Sequence, residues 1–106
     1  MTYDVILTED ARTDLKYLYD FVLEQELERD GGDVQLAERA YDAIDAAISA
    51  LGRTPLAYRR AGEIATAREL VIPFGATGHV VLFEVVEDRQ VFIIAVRHQR
   101  QEAYAR

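Results

Sequence analysis

From residue 68 onward the chain contains three apolar runs separated by short turns, and this pattern strongly limits the possible folds. The runs are RELVIPF, HVVLFEVV and VFIIAV, which are rich in the β-branched and aromatic residues that favour strands. The segments between them, GATG and EDR, are too short to hold a crossover helix. Because connections of this length join antiparallel neighbours, the pattern predicts a three-stranded antiparallel meander.

The first half of the chain has the pattern of one strand followed by two helices. TYDVIL alternates as a strand does, and Thr8 then precedes Glu9 and Asp10, which suits a helix N-cap and the positive end of the helix dipole. Asp33 follows two glycines and is placed to cap a second helix that ends at Gly52. Apolar residues recur at helical spacing in both helices. They are Ala11, Leu15, Leu18 and Val22 in the first helix, and Ala37, Ala40, Tyr41, Ile44, Ala47, Ile48 and Leu51 in the second.

These patterns together predict an α+β fold in a single domain, residues 1–106. The N-terminal strand, the two-helix hairpin and the three-stranded antiparallel meander are expected to form one antiparallel sheet with the helices packed on one face. The acidic outer faces of the helices are expected to be solvated surface. They carry Asp14, Glu24, Glu26, Glu28, Glu38, Asp42 and Asp45.

Both faces of the predicted sheet are apolar, whereas the chain provides one helical layer. Alternation along VFIIAV places Phe92, Ile94 and Val96 on one face and Val91, Ile93 and Ala95 on the other. An uncovered second face would exceed the apolar patches that soluble monomers usually expose. We therefore expect a partner chain, a second copy or the C-terminal tail to cover it.

The composition restricts the classes of function. The chain has no cysteine and a net charge of -7, with 13 acidic and 4 basic residues in positions 1–51 and 6 acidic and 8 basic residues in positions 52–106. Direct nucleic-acid binding is not expected, because it depends on Lys and Arg and the chain is acidic. Since Lys16 is the one lysine, any such contact would have to use the arginines of the second half. No apolar run reaches the length of a membrane span, and no signal segment is evident. We expect a cytoplasmic protein without a cofactor or metal ion.

In its order of elements the chain resembles the RelE/ParE superfamily of bacterial toxins from type II toxin–antitoxin pairs. The resemblance extends over nearly the whole chain, and within the superfamily the sequence is closer to the ParE-like branch. The most specific matching pieces are Arg68, Glu69 and Leu70 in ARELVI, and Val96, His98 and Arg100 in VFIIAVRHQRQEAY.

The resemblance implies a toxin that a cognate antitoxin neutralises by wrapping around it and covering the sheet. ParE-like members poison DNA gyrase, whereas RelE-like members cleave messenger RNA in the ribosome, and the fold alone does not choose between these targets. The first interpretation is a non-enzymatic gyrase inhibitor of the kind associated with plasmid stabilisation. A homodimer and a toxin–antitoxin heterotetramer both remain open.

The alternative interpretation is a ribosome-dependent messenger RNA endonuclease. Such an enzyme needs a general base, a general acid and cations for the phosphorane charge. Among the residues present, Glu63 or Glu69 could be the base, His98 the acid, and the phosphate ligands would be Arg68, Arg97 and Arg100. Resemblance to a Glu, Arg, His and Tyr set would require Glu63, Arg68, His98 and Tyr104 to converge. Tyr104 does not directly follow His98, which departs from that set. Structural roles are therefore favoured: Arg68 is expected to pair with Glu84 or Glu69, His98 to cap the core edge, and His79 to pack.

A gyrase inhibitor requires a contact surface instead of a catalytic set. Arginine and aromatic residues are favoured at the centres of such surfaces. The predicted contacts with the target or the antitoxin are Tyr58, Arg59, Arg60, Phe83, Phe92, Arg97, His98 and Arg100.

Overall fold

The computed structural model describes residues 2–61, 66–74, 77–86 and 89–98. The α+β class and the predicted order of elements are confirmed. In chain order the elements are β1 (Asp4–Leu7), α1 (Glu9–Glu28), α2 (Gln35–Ala50), a short 3₁₀ helix (Pro55–Ala57), β2 (Ala67–Phe74), β3 (Thr77–Val86) and β4 (Gln90–His98).

The four strands form one mixed sheet in the order β1-β4-β3-β2. The meander β2–β3–β4 is antiparallel, as predicted, whereas β1 pairs parallel with β4 from Asp4 opposite Gln90 to Leu7 opposite Ile93. A parallel pair needs a long connection, and here both helices and two strands lie between β1 and β4. The departure from an entirely antiparallel sheet therefore concerns β1 alone.

The predicted helix caps are present. The Thr8 hydroxyl accepts a hydrogen bond from the Ala11 amide (3.2 Å) and donates one to the Ile93 carbonyl (2.7 Å), so it joins the start of α1 to β4. The Asp33 carboxylate accepts from the Gln35 amide at 2.9 Å. Asp33, two residues before the start of α2, thus binds the amide of the first helical residue.

The main core lies between the helical hairpin and one face of the sheet. The helices contribute the residues that the helical spacing predicted, apart from the half-buried Val22 and Ala47 and the exposed Tyr41. The sheet residues of this core are Leu70, Ile72, Val81, Phe83, Val91, Ile93 and Val96.

A β-bulge interrupts the pairing of β3 with β4. Leu82 pairs with Ala95, but the next residue, Phe83, pairs with Ile93, so that Ile94 is the extra residue on β4. An extra residue bends the strand and shifts its alternation by one position.

The bulge corrects the predicted faces of β4. Val96 lies in the main core with Val91, although alternation had placed it with Phe92, and Ala95 belongs to the second face. The prediction is wrong beyond the bulge because a strict period of two cannot represent an inserted residue.

The chain itself covers part of the second sheet face. A small buried cluster forms there from Ala61, Ala67, Leu82 and Ala95, with Ile94 packed against it. In the described part of the chain, the exposed large apolar residues lie outside the sheet: they are Tyr17, Tyr19, Phe21, Leu27, Val34, Tyr41 and Leu56. The exposed large apolar side chains of the described residues thus lie mainly on the helical hairpin, and residues of the second sheet face such as Phe92 and Ile94 are half-buried.

Candidate functional site

Residues 59–61 lie along the outer edge of β2 as a short added segment. The Glu69 amide donates to the Arg59 carbonyl (3.0 Å) and the Ala61 amide donates to the Ala67 carbonyl (2.9 Å). The backbone N–H and C=O groups of β2 that point away from β3 therefore belong to odd-numbered residues. Pro73 shares this parity, so its missing N–H removes no bond to β3, as expected for proline in an edge strand.

Arg68 anchors the connection that precedes this segment. Its guanidinium donates to the Tyr58 carbonyl at 2.6 Å, and the Leu56 carbonyl lies 3.4 Å away. The Tyr58 ring in turn meets Phe83 edge-on, with ring centroids 5.9 Å apart. The Arg68 side chain, which had been considered for phosphate binding, is therefore hydrogen-bonded to backbone carbonyls.

The predicted ion pair of Arg68 with Glu69 or Glu84 is not formed. Glu69 instead pairs with Arg59, whose Nε lies 2.7 Å from its carboxylate. The register explains the difference, because Arg68 lies opposite Phe83 and points to the helix side, whereas Glu69 points to the other face.

His98 and His79 are opposite each other on β4 and β3, at the edge of the main core. Their rings meet edge-on with centroids 5.8 Å apart. His79 is only 3% exposed, which confirms its predicted packing role. Burial lowers the pKa of His79 because desolvation disfavours its charged form, and the charge of nearby His98 lowers it further.

The structure does not bring Arg68 and His98 together. Their partners on β3, Phe83 and His79, are four positions apart, and β2 and β4 flank β3 on opposite sides. With a rise of about 3.3 Å per residue and about 4.8 Å between strands, the two backbones are about 16 Å apart. Arg97 lies opposite Val80 and therefore on the other face from His98. Glu63, Arg100 and Tyr104 lie outside the described residues.

The predicted contact residues differ in accessibility. Arg59 and Arg60 are exposed, and Tyr58, Phe92 and His98 are half-buried. Phe83 is fully buried between sheet and helices, so the prediction that it contacts a partner is wrong. Arg97 is also buried. The accessible arginines of this set in the described residues are those along the edge of β2.

The comparisons with known proteins decide the family. A family model described as "ParE toxin of type II toxin-antitoxin system, parDE" matches residues 5–103. The chain belongs to the ParE toxin family. No curated protein matches this ParE-family chain. A solved structure described as "Chromosomal ParDE TA system from P. aeruginosa" is similar in fold, with a TM-score of 0.73 and 18% sequence identity over 92% of this chain and 96% of that chain.

A groove on the helical hairpin of this ParE-family toxin was not predicted from the sequence. It has a volume of about 660 Å³ and runs between α1 and α2. Tyr19 and Tyr41 meet edge-on within it, with ring centroids 6.4 Å apart, and Tyr41 is 42% exposed. Helical spacing had placed Tyr41 in the core series. The residues that line the groove are Leu7, Arg12, Leu15, Lys16, Tyr19, Glu38, Tyr41 and Asp42.

Two carboxylates of the ParE-family hairpin are structural and not solvated surface, contrary to the sequence prediction. Asp14 accepts a hydrogen bond from the Val96 amide at 2.9 Å, just after the bulge. Glu26 is buried and accepts from the Asp33 amide (3.0 Å) and from the Arg29 guanidinium. These bonds lower the pKa of Glu26, the bond from Asp33 most.

Within the described ranges, neither helix of this toxin is long and apolar enough to cross a membrane. The same ranges hold no group of three or more side chains suited to binding a metal ion.

Proposed function

We propose that this type II toxin inhibits DNA gyrase and that a cognate antitoxin holds it inactive. Membership of the ParE family supports a toxin with an antitoxin partner. The observation that favours gyrase over messenger RNA as the target is the separation of Arg68 from His98, with the Arg68 guanidinium bound to backbone carbonyls. A ribonuclease of this kind needs its acid and its phosphate ligand around one phosphate.

Inhibition of gyrase requires a surface complementary to another protein. Arg59 and Arg60 are exposed along the β2 edge, where hydrogen bonds to β2 hold the segment in place. Arginine is one of the residue types that most often dominate the binding energy at the centre of a protein interface. We assign the gyrase contact to this segment.

Neutralisation requires a second surface that the antitoxin covers. The exposed aromatic and aliphatic side chains of the hairpin form such a surface. Tyr17, for example, is 64% exposed and its ring stacks on Phe21. Exposed apolar surface of this kind commonly marks a protein-binding site. The proposal locates the toxin in the cytoplasm, where gyrase acts.

A parallel pair of assays tests the proposed function. The purified toxin is added to gyrase with relaxed plasmid, and separately to ribosomes programmed with a defined messenger RNA. We expect loss of supercoiling in the first assay, intact RNA in the second, and recovery of supercoiling when the antitoxin is added first. Cleavage of the RNA, or undisturbed supercoiling at a large molar excess of toxin, would refute the proposal.

A further inference from the structure

The connection between α1 and α2 contains Asp30 followed by Gly31, the only aspartate–glycine pair in a chain that has no asparagine. Both residues are exposed and lie outside the helices and strands. The Gly32 amide donates to the Arg29 carbonyl at 2.9 Å, so Asp30 and Gly31 are the two central residues of a turn. Solvent therefore reaches this pair at the end of the hairpin.

The side-chain carboxyl group of Asp30 and the backbone nitrogen of Gly31 are both accessible to reaction. Among the described residues, no hydrogen bond or ion pair involves either group. Gly31 has no side chain to shield its nitrogen, and a Cβ there would meet no atom within 4 Å. Glycine also rotates about its backbone bonds with little steric penalty. The Gly31 nitrogen can therefore approach the carboxyl group of the preceding residue.

Asp33, three residues further along the same connection, has the opposite environment. Its carboxylate accepts from the Gln35 amide at 2.9 Å and from the Arg39 guanidinium at 2.6 Å. The residue that follows it is Val34, whose β-branched side chain crowds the backbone nitrogen. The remaining described aspartates lie in α1, α2 or β1, where hydrogen bonds fix a regular backbone conformation. Asp30 thus differs from every other described aspartate.

We propose that Asp30 is a modification site at which the chain converts spontaneously to isoaspartate. In the carboxylic acid form of Asp30, the Gly31 nitrogen attacks the side-chain carboxyl carbon. A C–N bond forms, the C–OH bond breaks, and the hydroxyl group leaves with the proton of the nitrogen as water. Water then opens the resulting succinimide ring at the α-carbonyl carbon, whose bond to the Gly31 nitrogen breaks. The water lost in the first step is regained in the second, so the conversion needs no other reactant.

Isoaspartate inserts one methylene group into the main chain of a closely packed turn. A Cβ on Gly32 would already lie 1.9 Å from the Glu26 carbonyl oxygen, and the Asp33 amide donates to the Glu26 carboxylate at 3.0 Å. A longer main chain between Arg29 and Gly32 disturbs both contacts and the hydrogen bond that closes the turn. The modified toxin is therefore less stable than the original, whatever its target or partner.

Incubation of the folded toxin in water enriched in oxygen-18, at neutral pH for several weeks, tests the inference. Opening of the succinimide places one heavy oxygen atom in the residue that formed it. Cleavage after Glu28 and Glu38 then releases one peptide, residues 29–38, that contains both Asp30 and its internal control Asp33. Mass spectrometry is expected to find at least ten times more label at Asp30 than at Asp33, with isoaspartate at position 30. Equal labelling of the two residues, or none at Asp30, would overturn the inference.

Three variants separate the roles of the side chain and of its environment. Asp30→Glu keeps the charge but must close a six-membered ring, so labelling at position 30 should disappear. Asp30→Asn releases ammonia more readily than Asp30 releases water, so isoaspartate should form at least tenfold faster. Val34→Gly gives Asp33 a glycine neighbour as well.

In the Val34→Gly protein, Asp30 should still be labelled at least threefold faster than Asp33, because Arg39 and the Gln35 amide hold the Asp33 carboxylate. Equal rates there, or no acceleration in Asp30→Asn, would show that the folded connection does not promote ring closure. The isoaspartate form, separated by chromatography, should unfold at a lower urea concentration than the original toxin. An unchanged midpoint would refute the disturbance of the turn.

Discussion

His79 is a buried histidine at the contact between the sheet and the helical hairpin. Its ring lies against a pocket walled by apolar residues of α1 and α2, and the titratable groups that face it are Tyr19, Tyr41 and His98. No carboxylate lines this pocket among the described residues. A proton on His79 therefore places charge in an apolar site beside a second imidazole.

We expect the stability of the toxin to fall in mildly acidic solution because of His79. Its pKa is lowered from the ordinary value of 6.5, so the unfolded chain takes up the proton first. The stability that neutral His79 contributes is fully present above pH 6.5. This stability is lost as the pH falls from 6.5 through the lower pKa of the folded state. The free energy of unfolding in urea, measured at several pH values, should show this loss in the original protein and much less of it in His79→Leu.

The carboxylates do not obscure this comparison. The pKa values of Glu26 and Asp33 are lowered from 4.5 and 3.8 by hydrogen bonds, so their contributions are lost only in more acidic solution. The same decline of stability in both proteins as the pH falls through the ordinary histidine range would show that His79 is not responsible.

Among the elements, the connection between α1 and α2 depends on two adjacent glycines for different reasons. Gly31 has a φ of 72°, in the left-handed region, and a Cβ there would meet no atom within 4 Å. A Cβ on Gly32 would lie 1.9 Å from the Glu26 carbonyl oxygen. Gly31 thus relieves backbone strain, and Gly32 allows the connection to pack directly on α1.

Alanine at these two positions separates strain from collision. Gly31→Ala should lower the free energy of unfolding by about 1 to 2 kcal/mol, the typical cost of placing an alanine in the left-handed conformation. Gly32→Ala should lower the free energy of unfolding by more, because the Glu26 carbonyl oxygen must move. This movement also disturbs the hydrogen bond that the Asp33 amide donates to the Glu26 carboxylate. Urea unfolding of the two variants provides the comparison. A smaller loss for Gly32→Ala than for Gly31→Ala would contradict the assignment of the close contact to Gly32.

The bulge at Ile94 in β4 lies at the point where β4 passes from its contact with β1 to a contact with α1. It lies where β1 has ended, since β1 pairs only as far as Ile93. Beyond that point the Asp14 carboxylate of α1 accepts the hydrogen bond of the Val96 amide. A helix side chain thus accepts the hydrogen bond of a strand amide beyond the end of β1, as buried backbone groups require.

Over the whole molecule, the proposed contacts belong to two separate surfaces with different charge. The acidic hairpin carries the exposed aromatic and aliphatic side chains, and the basic second half carries the β2 edge segment with Arg59 and Arg60. One surface is assigned to the antitoxin and the other to gyrase. Variants should therefore affect the two activities independently.

Arg59→Ala combined with Arg60→Ala tests this separation. We expect at least a tenfold rise in the toxin concentration that halves supercoiling, with antitoxin affinity changed less than threefold, because interface arginines often carry much of the binding energy. Arg53→Ala is the control at an exposed arginine outside the segment. Equal inhibition by the double variant and the control would remove Arg59 and Arg60 from the gyrase contact.

Local patterns in the sequence were enough to predict the elements and their order. The Thr8 cap, the helical stripes and the strand runs each depend on residues a few positions apart. Such signals arise from backbone geometry and from the burial of one side of each element, so they need no knowledge of the partner element. Family membership likewise follows from residues distributed along nearly the whole chain.

Contacts between distant residues depended on the assembled fold. The parallel pairing of β1, the bulge that moves Val96 into the core, and the binding of Arg68 to carbonyls all involve groups that only the folded chain brings together. The groove likewise exists only where α1 and α2 lie side by side. No period in a single segment encodes these relations, because they arise from the register and packing of separate elements in three dimensions.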